Sequence, residues 1–240
     1  MPMSASTIRL AVLDMAGTTV RDDGVVSAAF DAALDAVGVA GEGPERERAV
    51  AHVHATMGQS KLAVFRSLLG DEHRAQVAAA AFDDAYLARL AAGSIEPLPG
   101  AEATFDALAA RGIRVCLTTG FSDAVRLAVL DVLGWRDRVD LSLSPGDGIR
   151  GRPAPDLVLV ALMRLEIDAV WQVAVAGDTR ADLEAGHAAG AAVIAGVGTG
   201  AHGLDELGAA PHTHLLDSVA ELPAVLSRPP VEPSGRPARR

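Results

Sequence analysis

Four short stretches carry side chains suited to one kind of chemistry. Asp14 closes the apolar run Leu10-Ala11-Val12-Leu13, and an acid at the end of a buried strand is costly unless something offsets its charge. The residues just after it, Ala16, Gly17, Thr18 and Thr19, are small. They leave room for a ligand and for backbone N–H groups to hold an anion. Asp178 and Asp182 follow a second apolar run at 172–176. Carboxylates gathered from two strand ends raise each other's pKa unless a cation sits between them. Magnesium suits such a pair, because it accepts one or two carboxylates, keeps several waters and leaves room for a phosphate oxygen. Thr118, Thr119 and Gly120 follow a third run and offer hydroxyl and backbone donors for phosphoryl oxygens. Arg152, between Gly151 and Pro153, can offset phosphate charge with a forked pair of hydrogen bonds. A single strand-end acid more often caps a turn; four such stretches in this order point to phosphoryl chemistry.

The elements that must position these residues are legible as alternating patterns. Apolar runs of strand length at 8–13, 113–117, 139–143, 172–176 and 191–194 are separated by helical patterns at 101–110, 123–133, 155–165 and 180–189. This alternation predicts an α/β fold with a Rossmann-like parallel sheet, right-handed crossovers, and ligands beyond the carboxyl ends of the strands. The stretch from 25 to 95 breaks the pattern with four helical segments, 27–37, 44–55, 61–69 and 71–92. The expected division is an α/β core of residues 7–22 and 97–225 and an inserted all-helical cap of 23–96, hinged at 21–24 and 93–100. The Pro-rich tail, 228–240, is expected to be disordered.

Composition narrows the function class. A chain of 240 residues can bury one α/β core and carry a smaller insert. Hydrophobic residues make up 50% and aromatics only 3%, so the core must be built from Ala, Val, Leu and Ile, as suits helices packed on a parallel sheet. A net charge of −10 argues against nucleic acid or an anionic membrane as partner. The single cysteine, Cys116, excludes an internal disulfide and reads as a packed core thiol in a reducing compartment. Residues 1–7 have no signal-like apolar region and no stretch is long enough to span a membrane, so a cytoplasmic protein is expected.

These motifs resemble the haloacid dehalogenase superfamily, and most closely its phosphonoacetaldehyde hydrolase (phosphonatase) branch, from Ile8 to about Leu222. Most members carry Asp-x-Asp-x-Thr/Val on the first strand and a later catalytic lysine. This chain reads Asp14-Met15-Ala16-Gly17-Thr18-Thr19, with Arg152 for the lysine; alanine and arginine at those two places mark the phosphonatase branch. The resemblance implies that Asp14 is a nucleophile forming an aspartyl-phosphate. It implies magnesium held by Asp14, the Ala16 carbonyl and Asp178, with Asp182 in support. Thr119 and Gly120 would grip the phosphoryl group, with Thr118 the alternative one residue earlier. The implied partners are a small phosphonate or phosphate substrate and a second copy of the chain, paired through apolar faces of the cap on 27–37 and 71–92.

Ala16 cannot protonate a leaving group or activate water, so a phosphoester with a poor leaving group would lose about 10²–10⁴ in rate. Among 21 Lys plus Arg, Lys61 is the only lysine. Arginine cannot form an imine, whereas lysine can when its pKa is lowered. In phosphonatase a Met-Gly-x-x-Lys segment of the cap forms a Schiff base with the substrate aldehyde, and Met57, Gly58 and Lys61 match it. Gly58-Gln59-Ser60-Lys61 also fits the Gly-x-Ser-Lys pattern of related helical-cap members, in which the cation only binds the far part of a phosphorylated substrate. Val64, Gly24 and Phe121 replace a histidine, a cysteine and a tyrosine of phosphonatase. The co-occurrence of Ala16 and Lys61 favours C–P cleavage of phosphonoacetaldehyde or another 2-oxo-phosphonate. The rivals are a phosphate-monoester phosphatase with Lys61 as a binding cation, and a silent binding or regulatory protein on the same scaffold. His52 and His54 read as solvated and His187 as structural. His202, His212 and His214 lack metal-ligand spacing, and 196–200 reads as a turn.

Overall fold

The computed structural model describes residues 8–21, 24–39, 41–93 and 95–227. Strand β1 (Leu10–Asp14) leads into four consecutive helices, α1 (Val25–Ala36), α2 (Pro44–Ala55), α3 (Lys61–Leu69) and α4 (Glu72–Ala91). Alternation then begins with α5 (Ala101–Ala109), β2 (Arg114–Thr118), α6 (Asp123–Leu133), β3 (Leu141–Leu143) and α7 (Asp156–Arg164). It continues through β4 (Val173–Gly177), α8 (Arg180–Ala189), β5 (Val193–Val197), α9 (Leu204–Leu207), β6 (His214–Leu216) and α10 (Leu222–Val225). The strands form one six-stranded sheet in the order β3-β2-β1-β4-β5-β6, and every pairing is parallel. This is the expected α/β architecture.

β1 lies at the centre, and all five of its residues are buried, as a strand covered on both faces must be. Alternate side chains serve opposite layers. Leu10 and Val12 pack with Leu157, Val158 and Ala161 of α7, while Ala11 and Leu13 join the cluster holding Phe105, Leu108, Val125 and Val129. Cys116 is buried in β2, and burial pushes its thiol well above the ordinary range, as expected of a packed thiol. Two strand bounds differ in a way that matters. β1 runs on to Asp14 and β2 to Thr118, and these two residues pair in register; a hydrophobic pattern stops one residue short of such polar ends. The sixth strand, β6, was not expected at all.

Helices α1–α4 contain no strand among the described residues. Their core departs from the aliphatic expectation, because Phe30, Phe65, Phe82 and Tyr86 gather there and meet Phe121. Much of the apolar surface of α1 and α4 packs within the chain. Val26, Phe30, Ala33 and Leu34 of α1 and Ala75, Ala78, Phe82 and Leu90 of α4 are all buried in one cluster. The chain enters and leaves this helical segment side by side, with Arg21 N donating to Glu96 O at 2.9 Å and Leu98 N to Thr19 O at 2.9 Å. The tail at 228–240 lies outside the described residues. No helix among those described is long and apolar enough to cross a membrane.

Candidate active site

The site is built where strands end. After Asp14 the chain turns tightly, with the N–H groups of Thr19 and Val20 both donating to Met15 O at 2.8 Å. Gly17 has φ +87°, and a Cβ there would sit 2.4 Å from Asp178 Oδ2, so the turn needs glycine for both backbone and space. Thr18 Oγ1 donates to Asp178 Oδ1 at 2.9 Å, and Thr19 Oγ1 to Asp14 O at 2.8 Å. The neighbouring strand, β4, ends at Gly177, and Asp178 follows it. Thr179 then caps α8, closing a capping box with Asp182. Asp182 is thus held by the helix that begins at the site.

Asp14, Asp178 and Asp182 are all buried, and one carboxylate oxygen from each lies within 4.8 Å of the others. Arg152 reaches in from the loop after β3. Its Nη1 donates to Asp14 Oδ1 at 2.6 Å and also to Asp182 Oδ1, while its buried Nε has no partner. One guanidinium facing three carboxylates leaves a local excess of negative charge. Burial first, and Asp14 second, push the Asp178 carboxyl up to about 7. An all-oxygen set of this charge fits a hard divalent cation. Asp14, Ala16 and Asp178 line the adjoining cavity, of about 370 Å³, whereas Asp182 does not. Its oxygens are engaged by Thr179 and Arg152.

Lys61, Met57, Thr119 and Gly120 line the same cavity. Thr118 does not; it is buried within β2, opposite Asp14. The two sides of the cavity meet closely. Lys61 N donates to Gly120 O at 3.2 Å, and a Cβ on Gly120 would lie 2.2 Å from Gln59 O. Ser60 caps α3 by accepting from Ala63 N, which sets Lys61 as the first helical residue. The Lys61 ammonium is buried, 5.1 Å from the ring centroid of Phe30, 5.3 Å from Phe82 and 5.2 Å from Phe121.

The segment after β5, read as a turn, belongs to the site as well. Thr199 Oγ1 donates to Gly17 O at 2.6 Å, and Ala201 N to Asp178 Oδ2 at 2.8 Å. A Cβ on Gly200 would lie 2.0 Å from that same Oδ2. Its place beyond a strand's carboxyl end was the available signal. The histidines divide between the surface and the site. His54 is exposed and lines the cavity, His52 Nε2 bonds Ser67 Oγ at 2.8 Å, and His187 is exposed on α8. His202 is buried beside His54 and Glu206, and their ligand atoms are close enough to suggest a metal. Yet Nδ1 of His202 accepts from Arg180 N at 3.0 Å, which places the ring proton on Nε2, the nitrogen facing His54 O and Glu206. That nitrogen donates and does not ligate.

A family model described as haloacid dehalogenase-like hydrolase matches residues 8–190. The chain belongs to this family. It is therefore an enzyme of the haloacid dehalogenase-like hydrolase type. A ribulose-1,5-bisphosphate 5-phosphatase of Halopiger xanaduensis is 32% identical over 93 residues, covering 39% of each chain. A phosphonoacetaldehyde hydrolase of Parabacteroides distasonis is 34% identical over 93 residues, covering 38% of this chain and 34% of that protein. The matched region thus spans between a third and two fifths of these curated relatives. Among solved structures, a phosphonoacetaldehyde hydrolase-like protein from Oleispira antarctica superposes with a TM-score of 0.78 at 22% identity, covering 93% of this chain and 92% of that one. At that identity the likeness is one of fold.

Proposed function

We propose that this haloacid dehalogenase-like hydrolase cleaves the C–P bond of phosphonoacetaldehyde or a related 2-oxo-phosphonate, using Asp14 as nucleophile and a Schiff base on Lys61. The observation that carries the reading is that Lys61, the only lysine, lines one cavity with Asp14 and Ala16. A nucleophile for phosphorus and an amine for carbon then face one small substrate, and no acid stands at residue 16 to protonate an alkoxide. The partial likeness to phosphonoacetaldehyde hydrolases supports the same substrate class.

In this reading residues 23–96 are a cap over a core of 7–22 and 97–225, and closure excludes water. The Lys61 amine adds to the aldehyde carbon, and loss of water gives an iminium. The C–P electron pair moves toward the iminium nitrogen, leaving an enamine, as phosphorus bonds to the Asp14 carboxylate. Water then cleaves the aspartyl-phosphate, releasing phosphate. Protonation of the enamine at carbon and hydrolysis return acetaldehyde and Lys61. Magnesium held by Asp14, the Ala16 carbonyl and Asp178 would offset charge on the phosphoryl oxygens. Arg152 orients Asp14 and shares that task, Asp182 holds Arg152, and Thr119 and Gly120 grip the phosphoryl group.

The second reading, a phosphate-monoester phosphatase with Lys61 as a binding cation, draws on Gly58-Gln59-Ser60-Lys61 and on the partial likeness to a bisphosphate phosphatase. Incubation with phosphonoacetaldehyde, borohydride reduction and peptide mass spectrometry separate the two. A reduced adduct on Lys61 is expected, phosphate release is abolished by Asp14→Asn, and Lys61→Arg loses C–P cleavage. Turnover without an adduct, or rescue by arginine, would overturn the imine mechanism; release of phosphate from a small monoester but not from phosphonoacetaldehyde would favour the phosphatase reading.

A further inference from the structure

Lys61 comes from the helical insertion, whereas Asp14 and Asp178 come from the sheet. One substrate can span them only if the two sides keep a fixed relation. They meet along the segment from His54 to Lys61. A Cβ on Gly58 would lie 2.2 Å from Thr179 Oγ1, and Lys61 N donates to Gly120 O at 3.2 Å. A buried side chain also crosses this seam. It is His202, which does not line the catalytic cavity.

His202 follows β5 and grips the turn that carries Asp178. Its N–H donates to Asp178 O at 3.2 Å, while the preceding Ala201 N donates to Asp178 Oδ2 at 2.8 Å. On the ring, Nδ1 accepts at 3.0 Å from Arg180 N, the first residue of α8, whose N–H has no partner within its helix. Across the ring, Nε2 donates to His54 O at 3.3 Å. That carbonyl also accepts from Met57 N at 3.2 Å, so it anchors the turn at the start of the segment that ends on Lys61. The His54 ring packs 5.3 Å from the His202 ring and lines the cavity. Imidazole suits this place: one nitrogen accepts, the other donates, and the rigid ring fixes the distance between them. Glu206 Oε1 stands 3.6 Å from Nε2. The buried N–H therefore has a second acceptor nearby if the insertion lifts, and opening does not strand it.

We propose that His202 is a positioning residue for the reaction: its ring couples the Asp178 turn to His54 O and so sets where Lys61 stands relative to the carboxylates. It touches neither substrate nor reacting atoms. It acts through the start of α8 on one side and through the His54 carbonyl on the other. The inference rests on the Schiff-base reading above, in which one substrate engages both sides.

Two variants of the full chain separate the two ring contacts. Asparagine keeps an acceptor for Arg180 N but is too short to reach His54 O, whereas glutamine can carry an N–H to that carbonyl. In His202→Asn, borohydride-trappable adduct on Lys61 is expected to form about 3–10-fold more slowly from phosphonoacetaldehyde, the worth of one ordinary hydrogen bond. Hydrogen–deuterium exchange is expected to quicken at 57–61 without substrate, where the Met57 and Lys61 N–H groups are bonded. The rise in melting temperature on adding magnesium should stay at its wild-type size, because the backbone grip on Asp178 is unchanged. His202→Gln is expected to restore both the adduct rate and the exchange. A His202→Asn protein that matches wild type in adduct rate and in exchange at 57–61 overturns the inference while the Schiff-base reading stands. Equal impairment of both variants, with a lowered melting temperature, also overturns it, since His202 would then be a packing residue alone. Absence of any adduct in the wild-type protein overturns the Schiff-base reading itself, and this role with it.

Discussion

Asp178 is the residue at which charge and burial conflict most openly. Its carboxyl is pushed up to about 7, against an ordinary value of 3.8 in an unfolded chain. The metal-free fold therefore keeps a proton that the unfolded chain releases, so its stability falls as pH rises from about 4 to about 7. Magnesium held between Asp14 and Asp178, as proposed, would compete with that proton and remove the penalty. The rise in melting temperature on adding magnesium is thus expected to be larger at pH 8 than at pH 6, and equal shifts in calorimetry would contradict the assignment. Asp14 and Asp178 were legible in the sequence because a carboxylate after an apolar run is conspicuous. Thr199, Gly200 and Ala201 were not, because two of the three act through a backbone N–H or a missing Cβ. Such roles leave no mark in residue type.

Elements were legible where a cap agreed with a periodicity. α2 begins at Pro44, α3 after Ser60, α6 after Ser122 and α8 after Thr179, and all four match the bounds read from the sequence. β6 escaped because three residues are too few for a period; its register is set by Thr213, whose side chain bonds both N and O of Ile194. The aromatic cluster escaped for a different reason. A chain-wide aromatic content of 3% hides the fact that α1, α3 and α4 turn Phe30, Phe65, Phe82 and Tyr86 toward one another. Phe82 is fully buried and meets Phe30 edge-on at 4.8 Å. Phe82→Ala is expected to cost about 3–5 kcal/mol, read by urea denaturation, and to remove one wall around Lys61. A loss below about 1 kcal/mol would mean that the cluster collapses to fill the gap.

At the scale of the whole molecule, strand-end rules bring the carboxylates, Thr119 and Arg152 to one edge of the sheet, but no spacing rule says how the helical insertion sits over that edge. Two glycines record it. Gly120 has no room for a Cβ against Gln59 O, and Gly58, at φ +86°, would place one 2.2 Å from Thr179 Oγ1. Both lie on the seam between the insertion and the sheet, and the paired connections at Arg21–Glu96 and Thr19–Leu98 are where the insertion would hinge. Gly58→Ala tests whether closure at this seam matters for catalysis. The added methyl meets Thr179, whose side-chain hydroxyl also donates to Asp182, and the left-handed backbone adds a strain of about 1–2 kcal/mol. If closure assembles Lys61 over Asp14, the variant should keep its fold by circular dichroism, scatter X-rays as a more open particle, and lose both kcat and substrate affinity. A variant that is open by scattering yet retains wild-type kcat/KM would show that Lys61 and Asp14 need not share a closed cavity, and would remove the geometric basis for a single substrate bridging them.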